Sequence, residues 1–229
     1  VAILTTRAPH LQARQFATLL ALVFVHLRFA DHVPAAADTA TAMVTLGAAT
    51  AVFFGLTSLV RRSLHDLLQA STLMHGGLLF AAVGAAGRGH HAAALFACFT
   101  MAVAVGGLSY AVLALESRVG RVRLAGHAGH GRAFPRLAAG LAFLGGAGVG
   151  MPGTAGFIAD DLLLHALWSE SVPATVAVAL ASALLAVATL RAIAATFFGP
   201  QVPSVAPDLL PRERSTMLAF IALLITFPA

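Results

Sequence analysis

Two adjacent carboxylates lie in one of the most apolar stretches of the chain. In the segment GMPGTAGFIADDLLLHAL, Asp160 and Asp161 follow a helix break formed by Gly150, Pro152 and Gly153. A charge inside a membrane is costly, and two buried carboxylates repel each other, so these residues are candidates for function. His165 comes four residues after Asp161 on the same helix face, where the two side chains could form a hydrogen-bonded pair.

A second row of polar residues lies in the segment SLHDLLQASTLMHGG, which starts at Ser63. It contains His65 beside Asp66, and His75 about three helical turns later. Histidine titrates near neutral pH, so such a row could carry protons with the help of hydroxyl groups and bound water. Two structural alternatives stay open. His65 and Asp66 could simply occupy the membrane interface next to two Arg residues, and His75 could be a core histidine with satisfied hydrogen bonds.

The composition defines the surroundings of these residues. The chain has 229 residues, of which 59% are hydrophobic and 10% charged, and its mean hydropathy is +0.89, whereas soluble domains carry about 25% charged residues. Apolar runs of about 20 residues, long enough to cross a bilayer as helices, recur along the whole length. We therefore expect an all-α polytopic transmembrane helix bundle of about eight spans, one of them broken: 14–30, 38–60, 63–86, 91–115, 134–149, 154–169, 173–198 and a last span after 211.

The placement of Arg predicts the orientation, because the sequence contains no Lys. Positively charged loops stay in the cytoplasm, and a multi-pass protein of the cell inner membrane is expected. Counting eight spans puts one set of Arg residues on the cytoplasmic side, namely Arg7, Arg14, Arg61, Arg62, Arg118, Arg121, Arg123, Arg132 and Arg136. The same count puts a smaller set on the opposite side, namely Arg28, Arg88, Arg191, Arg212 and Arg214.

Several kinds of chemistry find no support in the sequence. The single Cys98 excludes a disulfide framework. The Arg residues lie in loops between apolar runs and do not gather on one face that could bind a nucleic acid. His127 and His130 are weak metal candidates because their surroundings are rich in Gly. No nucleotide-binding, iron–sulfur, nucleophile-elbow or zinc-helix motif occurs, so we expect no cofactor and no redox site in this chain.

The order and spacing of the motifs resemble a known family. GMPGTAGFIADDLLL is similar to the broken helix of the antiporter-like subunits of respiratory complex I, with subunit M as the nearest type, and SLHDLLQASTLMHGG is similar to the segment DLKRLLAYSSISHMG of that family. Three further segments resemble other parts of the family in the same order: FVHLRFADHVP, the loop and helix LESRVGRVRLAGHAGHGRAFPRLAAGLAFLGGAGVGMPG that lead to the break, and RAIAATFFGP. The resemblance implies that residues 1–229 form a single membrane domain, the C-terminal half of a subunit with roughly 14 helices.

Only some of the charged residues of that family have counterparts in this chain. The acidic residue of the family's broken helix corresponds to Asp160 in this chain. In the subunit L type, a Lys occupies the position of Asp160 and an Asp occupies the position of Asp161. His65 takes the place of a Lys, and His75 that of a His. The Lys of the preceding broken helix falls near Leu20, and the His or Lys of the helix over 91–115 falls near Thr100, so two titratable groups are missing.

The resemblance implies a proton-translocating membrane subunit of a complex I-like NADH:quinone oxidoreductase or a related ion-pumping complex. We expect a proton relay made of His65, His75, Asp160, Asp161 and His165, with other membrane subunits, the lipid bilayer and protons or sodium ions as partners. Two alternatives stay open. One is a scaffold subunit that has lost conduction, and the other is a subunit of an Mrp-type cation/proton antiporter or an inorganic-carbon uptake complex.

Overall fold

The computed structural model describes residues 36–86, 91–200 and 206–226. Within these ranges the chain forms helices and no strand, and one isolated β-bridge pairs Ser63 with Arg123. The all-α prediction is therefore confirmed for the described residues, and the predicted helix over 14–30 lies outside them. In chain order the helices are α1 (Ala36–Leu59), α2 (Leu64–Ala86), α3 (His91–Val119), α4 (Pro135–Gly148), α5 (Ala155–Trp168), α6 (Val172–Phe197) and α7 (Pro211–Thr226).

Four of these helices are long and apolar enough to cross a membrane: Thr39–Leu59 in α1, and the whole of α2, α3 and α6. The α4 and α5 helices have 14 residues each, fewer than the roughly 20 that a crossing requires. Neither of them can span a bilayer alone. About eight spans, as predicted from the apolar runs, are therefore not found among the described residues.

The contacts at the helix ends reveal how α4 and α5 run. The connection between α3 and α4 is hydrogen-bonded to the C-terminal end of α6, with Ala128 N donating to Ala195 O at 2.7 Å and Gly131 N to Phe197 O at 3.0 Å. A short connection, 169–171, joins α5 to α6, so α5 ends at the opposite end of α6. It follows that α4 and α5 lie one after the other along a single passage through the bundle, interrupted at 149–154.

This course corrects the predicted sides of the Arg residues. The sequence-based count treated α4 and α5 as two crossings, which reversed the direction of everything after them. In the structure Arg191 donates to the carbonyl of Arg61 at 3.0 Å, and Glu213, at the start of α7, pairs with Arg118. All the Arg residues in the described ranges therefore lie at one end, here called the Arg-rich end: Arg61, Arg62, Arg118, Arg121, Arg123, Arg132, Arg136, Arg191, Arg212 and Arg214. The prediction for Arg191, Arg212 and Arg214 was wrong.

Small residues let α1 and α2 approach closely. A Cβ atom on Gly47 would lie 2.5 Å from Ala81 N, and one on Gly77 would lie 2.7 Å from Ala51 N. Helices in membranes commonly pack through such small residues, because lipid offers no hydrophobic force to hold larger side chains together. The contact places α2 in the interior of the bundle, where most of its side chains, including both of its histidines, are buried.

The outer surface of the bundle is apolar. Phe53 on α1 and Val187 and Leu190 on α6 each expose more than half of their surface. A water-soluble protein rarely leaves a continuous surface of this kind uncovered, whereas lipid tails or neighbouring membrane proteins accept it. The apolar surface and the four long helices identify a membrane-embedded protein.

Candidate functional site

The break between α4 and α5 is built by glycines in left-handed conformations. Gly150 has φ +75° and Gly153 has φ +84°, values that other residues adopt only at a cost. α4 ends at Gly148, and α5 restarts after Thr154, whose hydroxyl donates to Met151 O at 2.7 Å. Backbone groups freed by such a break must find partners inside the protein, because lipid provides none.

His75 of α2 supplies one of those partners. Its Nε2 lies 2.7 Å from Gly148 O, at the end of α4, and its Nδ1 lies 2.7 Å from Ser71 O. A carbonyl oxygen can only accept, so both contacts are hydrogen bonds only when both ring nitrogens carry a proton. The hydroxyl of Ser71 also lies 3.4 Å from Nδ1 and can donate to it when that nitrogen is unprotonated. Which of these groups donates therefore depends on which ring nitrogens of His75 carry a proton.

Asp160 of α5 shares a cavity with His75. The cavity, here called the inner cavity, has a volume of about 10 Å³ and is lined among others by His75, Thr100, Gly148, Gly156 and Asp160. This is close to the smallest volume that holds one water molecule. The Asp160 carboxylate lies against the break, with Oδ2 2.7 Å from the position that a Cβ atom on Gly150 would occupy. Break, imidazole and carboxylate therefore meet at one place.

Thr100 marks the position in the inner cavity where the resemblance implied a titratable residue. Its hydroxyl donates to Phe96 O at 2.9 Å and to Ala97 O at 3.2 Å, both in its own helix. The hydroxyl adds a polar group to the cavity wall but cannot hold an extra proton at neutral pH. Leu20, the other position at which the resemblance implied a titratable residue, lies outside the described residues.

Asp161 and His165 are not part of this cluster. The two side chains are 57% and 78% exposed, and His165 Nδ1 lies 3.4 Å from Asp161 Oδ1. Successive residues of a helix point about 100° apart, so Asp160 faces inward while Asp161 faces outward. The expected proximity of Asp161 and His165 is present, but the two carboxylates do not form a buried pair that shares one environment.

His65 belongs to a second cluster at the Arg-rich end. It is buried, and its Nδ1 lies 3.8 Å from Oε2 of Glu116, while its Nε2 lies 3.4 Å from Nε2 of Gln69. Asp66 instead points to the surface, where Arg121 donates to its carboxylate at 3.2 Å. The structure thus separates these two neighbouring residues, because His65 contacts α3 and Asp66 contacts the loop after it.

A second cavity lies between the two clusters. It has a volume of about 20 Å³ and is lined mainly by apolar side chains, among them Leu68, Val112 and Leu141, with the hydroxyl-bearing Ser71 and Thr189. We call it the Ser71 cavity, because Ser71 both lines it and contacts His75. His65 and His75 are ten residues apart on α2, about 15 Å along the helix axis, and the Ser71 cavity lies beside the helix over residues 64–71.

Three acidic residues with clear contacts were missed in the sequence. Glu116 was overlooked because the helix predicted over 91–115 continues to Val119. Glu213 pairs with Arg118 across the bundle. The Asp208 carboxylate accepts from Arg136 N at 2.8 Å and from Leu137 N at 3.2 Å, and so caps α4 from more than 70 residues away. No sequence signal predicts such partners, since they meet only after folding.

The loop histidines show no metal centre. Among the described residues no three His, Cys, Asp or Glu side chains gather closely enough to hold a metal ion. His130 instead has its ring centre 6.3 Å from that of Phe134. Burial lowers the pKa of the His130 imidazole, which favours its neutral form in the folded protein.

Comparison with known proteins identifies the family. The family described as "NADH:quinone oxidoreductase/Mrp antiporter, TM" matches residues 11–186, more than half of the chain. The chain belongs to this family. A curated relative, NADH-quinone oxidoreductase subunit N of Chlorobium chlorochromatii (strain CaD3), is 28% identical over 159 residues, which are 68% of this chain and 31% of the relative. The family resemblance seen in the motifs is thereby confirmed.

Chains in solved structures of three membrane complexes share the fold. A chain of respiratory complex I from Thermus thermophilus with bound NADH has a TM-score of 0.79 at 24% identity, and the match covers 90% of this chain and 45% of that one. A chain of the Mrp complex from Dietzia sp. DQ12-45-1b has a TM-score of 0.71 at 21% identity, and the match covers 82% of this chain and 35% of that one. A chain of the membrane-bound sulfane sulfur reductase, an archaeal respiratory membrane complex, has a TM-score of 0.76 at 19% identity. This match covers 91% of this chain and 42% of that one. The chain thus spans less than half the length of each of these proteins.

Proposed function

We propose that this antiporter-family chain is a proton-conducting membrane subunit of a complex I-like NADH:quinone oxidoreductase or of a related ion-pumping complex, in the cell inner membrane. The family match and the names of the relatives support this class of host, with an Mrp-type antiporter complex as another member of the same class. The short matches to longer relatives support the proposal that residues 1–229 correspond to one half of a larger subunit. The ion carried would be the proton.

The proposed path runs along α2 and ends at the break. A proton taken up by His65 moves along α2 to the Ser71 hydroxyl and from there to Nδ1 of His75. The Ser71 cavity beside this route is mostly apolar, so the transfer requires that water enter the cavity during transport. The doubly protonated ring keeps both carbonyl contacts, and its charge is balanced by Asp160 in the same cavity. Release from Nε2 through water in the inner cavity protonates Asp160, which leaves both groups neutral.

One observation carries this proposal. The two nitrogens of the buried His75 each have a carbonyl oxygen at 2.7 Å, and a carboxylate lines the same small cavity. In a neutral histidine one nitrogen donates and the other accepts. For Nδ1 the available donor is the Ser71 hydroxyl at 3.4 Å, whereas the acceptor Ser71 O lies closer, at 2.7 Å. An arrangement that suits both protonation states is what a relay requires.

Asp160→Asn and Asp161→Asn provide the test, because they remove the same charge from neighbouring positions, of which only Asp160 lines the inner cavity. Inverted membrane vesicles containing the assembled complex are energised with its electron donor or cation gradient, and proton uptake is followed with a pH-sensitive dye. We expect Asp160→Asn to stop uptake and Asp161→Asn to retain most of it, at equal amounts of assembled complex. Full uptake by Asp160→Asn would disprove the relay.

A scaffold subunit is the second candidate function, and Thr100 favours it, since a non-titratable residue occupies the inner cavity. This alternative expects Asp160→Asn to change the amount of assembled complex but not the proton uptake per complex. His75→Gln distinguishes the two further. The relay requires loss of uptake with assembly intact, whereas a scaffold would lose only stability through the missing contact to Gly148 O.

We further infer that the chain is oriented with the Arg-rich end in the cytoplasm. All described Arg residues lie at that end, and positively charged segments are retained on the cytoplasmic side. With α4 and α5 as one broken crossing and the apolar run 14–30 as another, the proposed number of crossings is seven rather than eight. His65 then lies near the cytoplasmic surface, and Asp160 lies deeper in the membrane.

A further inference from the structure

The port of the proposed relay at the Arg-rich end has two candidate carboxylates, Glu116 and Asp66. The Glu116 side chain is 15% exposed and that of Asp66 is 38% exposed, so both reach water to some degree. Their partners differ, however. Asp66 is bound to the guanidinium of Arg121, whereas Oε2 of Glu116 lies 3.8 Å from the ring of His65.

The backbone holds Glu116 in this place. Its other oxygen, Oε1, accepts from Val122 N at 3.4 Å, and Val122 O accepts from Leu64 N at 3.0 Å. The loop after α3 thus ties the carboxylate to the start of α2, next to His65. A carboxylate positioned against one nitrogen of an imidazole stabilises the protonated ring and can exchange a proton with it.

We propose that Glu116 and His65 together form the proton port of the relay, with Glu116 as the group that exchanges protons with water. This inference rests on the proposed function. A proton from the aqueous side binds the Glu116 carboxylate and moves to Nδ1 of His65, restoring the carboxylate and forming an imidazolium ion. The ring then releases the proton on Nε2, which lies beside the Gln69 amide, and this leaves the ring neutral. The charged groups around this pair are Asp66 and Arg121, and their mutual ion pair keeps the local charge nearly balanced.

The experiment compares Glu116→Gln with Asp66→Asn in the vesicle assay, over a range of external pH. Loss of a positioned acid–base group typically slows proton transfer by 10²–10⁴-fold, and because water partly replaces it here we expect about tenfold slower uptake for Glu116→Gln. Asp66→Asn should stay close to the wild-type rate. An equal loss in both variants would indicate a general effect of surface charge and would overturn the port.

A double variant tests whether the two residues act as one unit. His65→Gln with Glu116→Gln should be no slower than the slower of the single variants, whereas independent effects would multiply and contradict the port. If the complex with Glu116→Gln does not assemble, Glu116→Asp is used as the test variant instead. Its side chain is one methylene shorter, so the gap to Nδ1 widens and the rate should fall. A wild-type rate for Glu116→Asp would overturn the port.

Asp160→Asn, measured in parallel, separates this inference from the relay itself. If Asp160→Asn stops uptake while Glu116→Gln leaves it unchanged, the port is wrong and the relay stands. If Asp160→Asn leaves uptake unchanged, the relay is wrong and the port falls with it. Loss of uptake in both variants, with Asp66→Asn active, supports both proposals.

Discussion

At the scale of single residues, the direction in which a side chain points matters more than its chemical type. Asp160 and Asp161 have the same chemistry and adjacent positions, yet only Asp160 reaches the inner cavity, because the helix turns by about 100° between them. His65 and Asp66 differ in the same way. The packing of α2 and α5, which the sequence does not specify, decides which member of each pair faces the interior.

Gly150 provides a residue-scale prediction. Replacing it by Ala should cost about 1–2 kcal/mol for the left-handed backbone, and the new Cβ would displace the Asp160 carboxylate. Gly120 is a matched control, because it has nearly the same φ, +74°, with nothing near its Cβ position. We expect Gly150→Ala and Gly120→Ala to lower the melting temperature alike, but only Gly150→Ala to reduce proton uptake in vesicles. Equal uptake by the two variants would mean that Asp160 need not be held against the break.

At the scale of elements, the half-helix α4 depends on a distant segment. Its N-cap residue, Phe134, makes no side-chain cap hydrogen bond, and the carboxylate of Asp208 takes that place. A further contact in this region pairs Glu213, at the start of α7, with Arg118, at the end of α3. A negative charge at a helix N-terminus is favourable both as an acceptor and through the helix dipole. The segment before α7 thus fixes the helix that leads into the break.

Asp208→Ala should accordingly destabilise the protein by about 1 kcal/mol, as loss of a helix cap typically does. Ser215→Ala serves as the control, because the Ser215 hydroxyl donates to Arg212 O within its own helix, and its removal should change stability by less than about 0.5 kcal/mol. Thermal unfolding of the purified complex in detergent, followed by the fluorescence of a thiol probe, measures both. A melting temperature for Asp208→Ala equal to that of Ser215→Ala would show that the cap contributes nothing.

At the scale of the whole molecule, the broken passage decides the topology. Two short helices that share one crossing bring the ends of α3 and α6 together at the Arg-rich end, as the hydrogen bonds of the 128–131 segment demonstrate. Two full crossings would have put α7 at the other end. The number of crossings between 134 and 169 is therefore what determines on which side Arg212 and Arg214 lie.

Labelling of single cysteines in sealed vesicles tests this topology. In a Cys98→Ala background, Arg123→Cys and Arg214→Cys should react with a membrane-impermeant maleimide from the same side, and Ser169→Cys from the opposite side. All three positions are exposed in the structure. Labelling of Arg123→Cys and Arg214→Cys from opposite sides would restore the eight-crossing arrangement and disprove the single passage.

The sequence by itself determined what depends on composition and local pattern: an all-α membrane protein, the position of the break, the family, and the histidines and carboxylates worth examining. These follow because hydropathy, glycine and proline act over a few residues, within one helix. Only the tertiary structure decided that α4 and α5 form one passage, that His75 and Asp160 share a cavity, and that Glu116 and Asp208 find partners far away in the chain. Such contacts depend on how helices pack and turn against one another, and no local pattern encodes the rotation of one helix relative to the next.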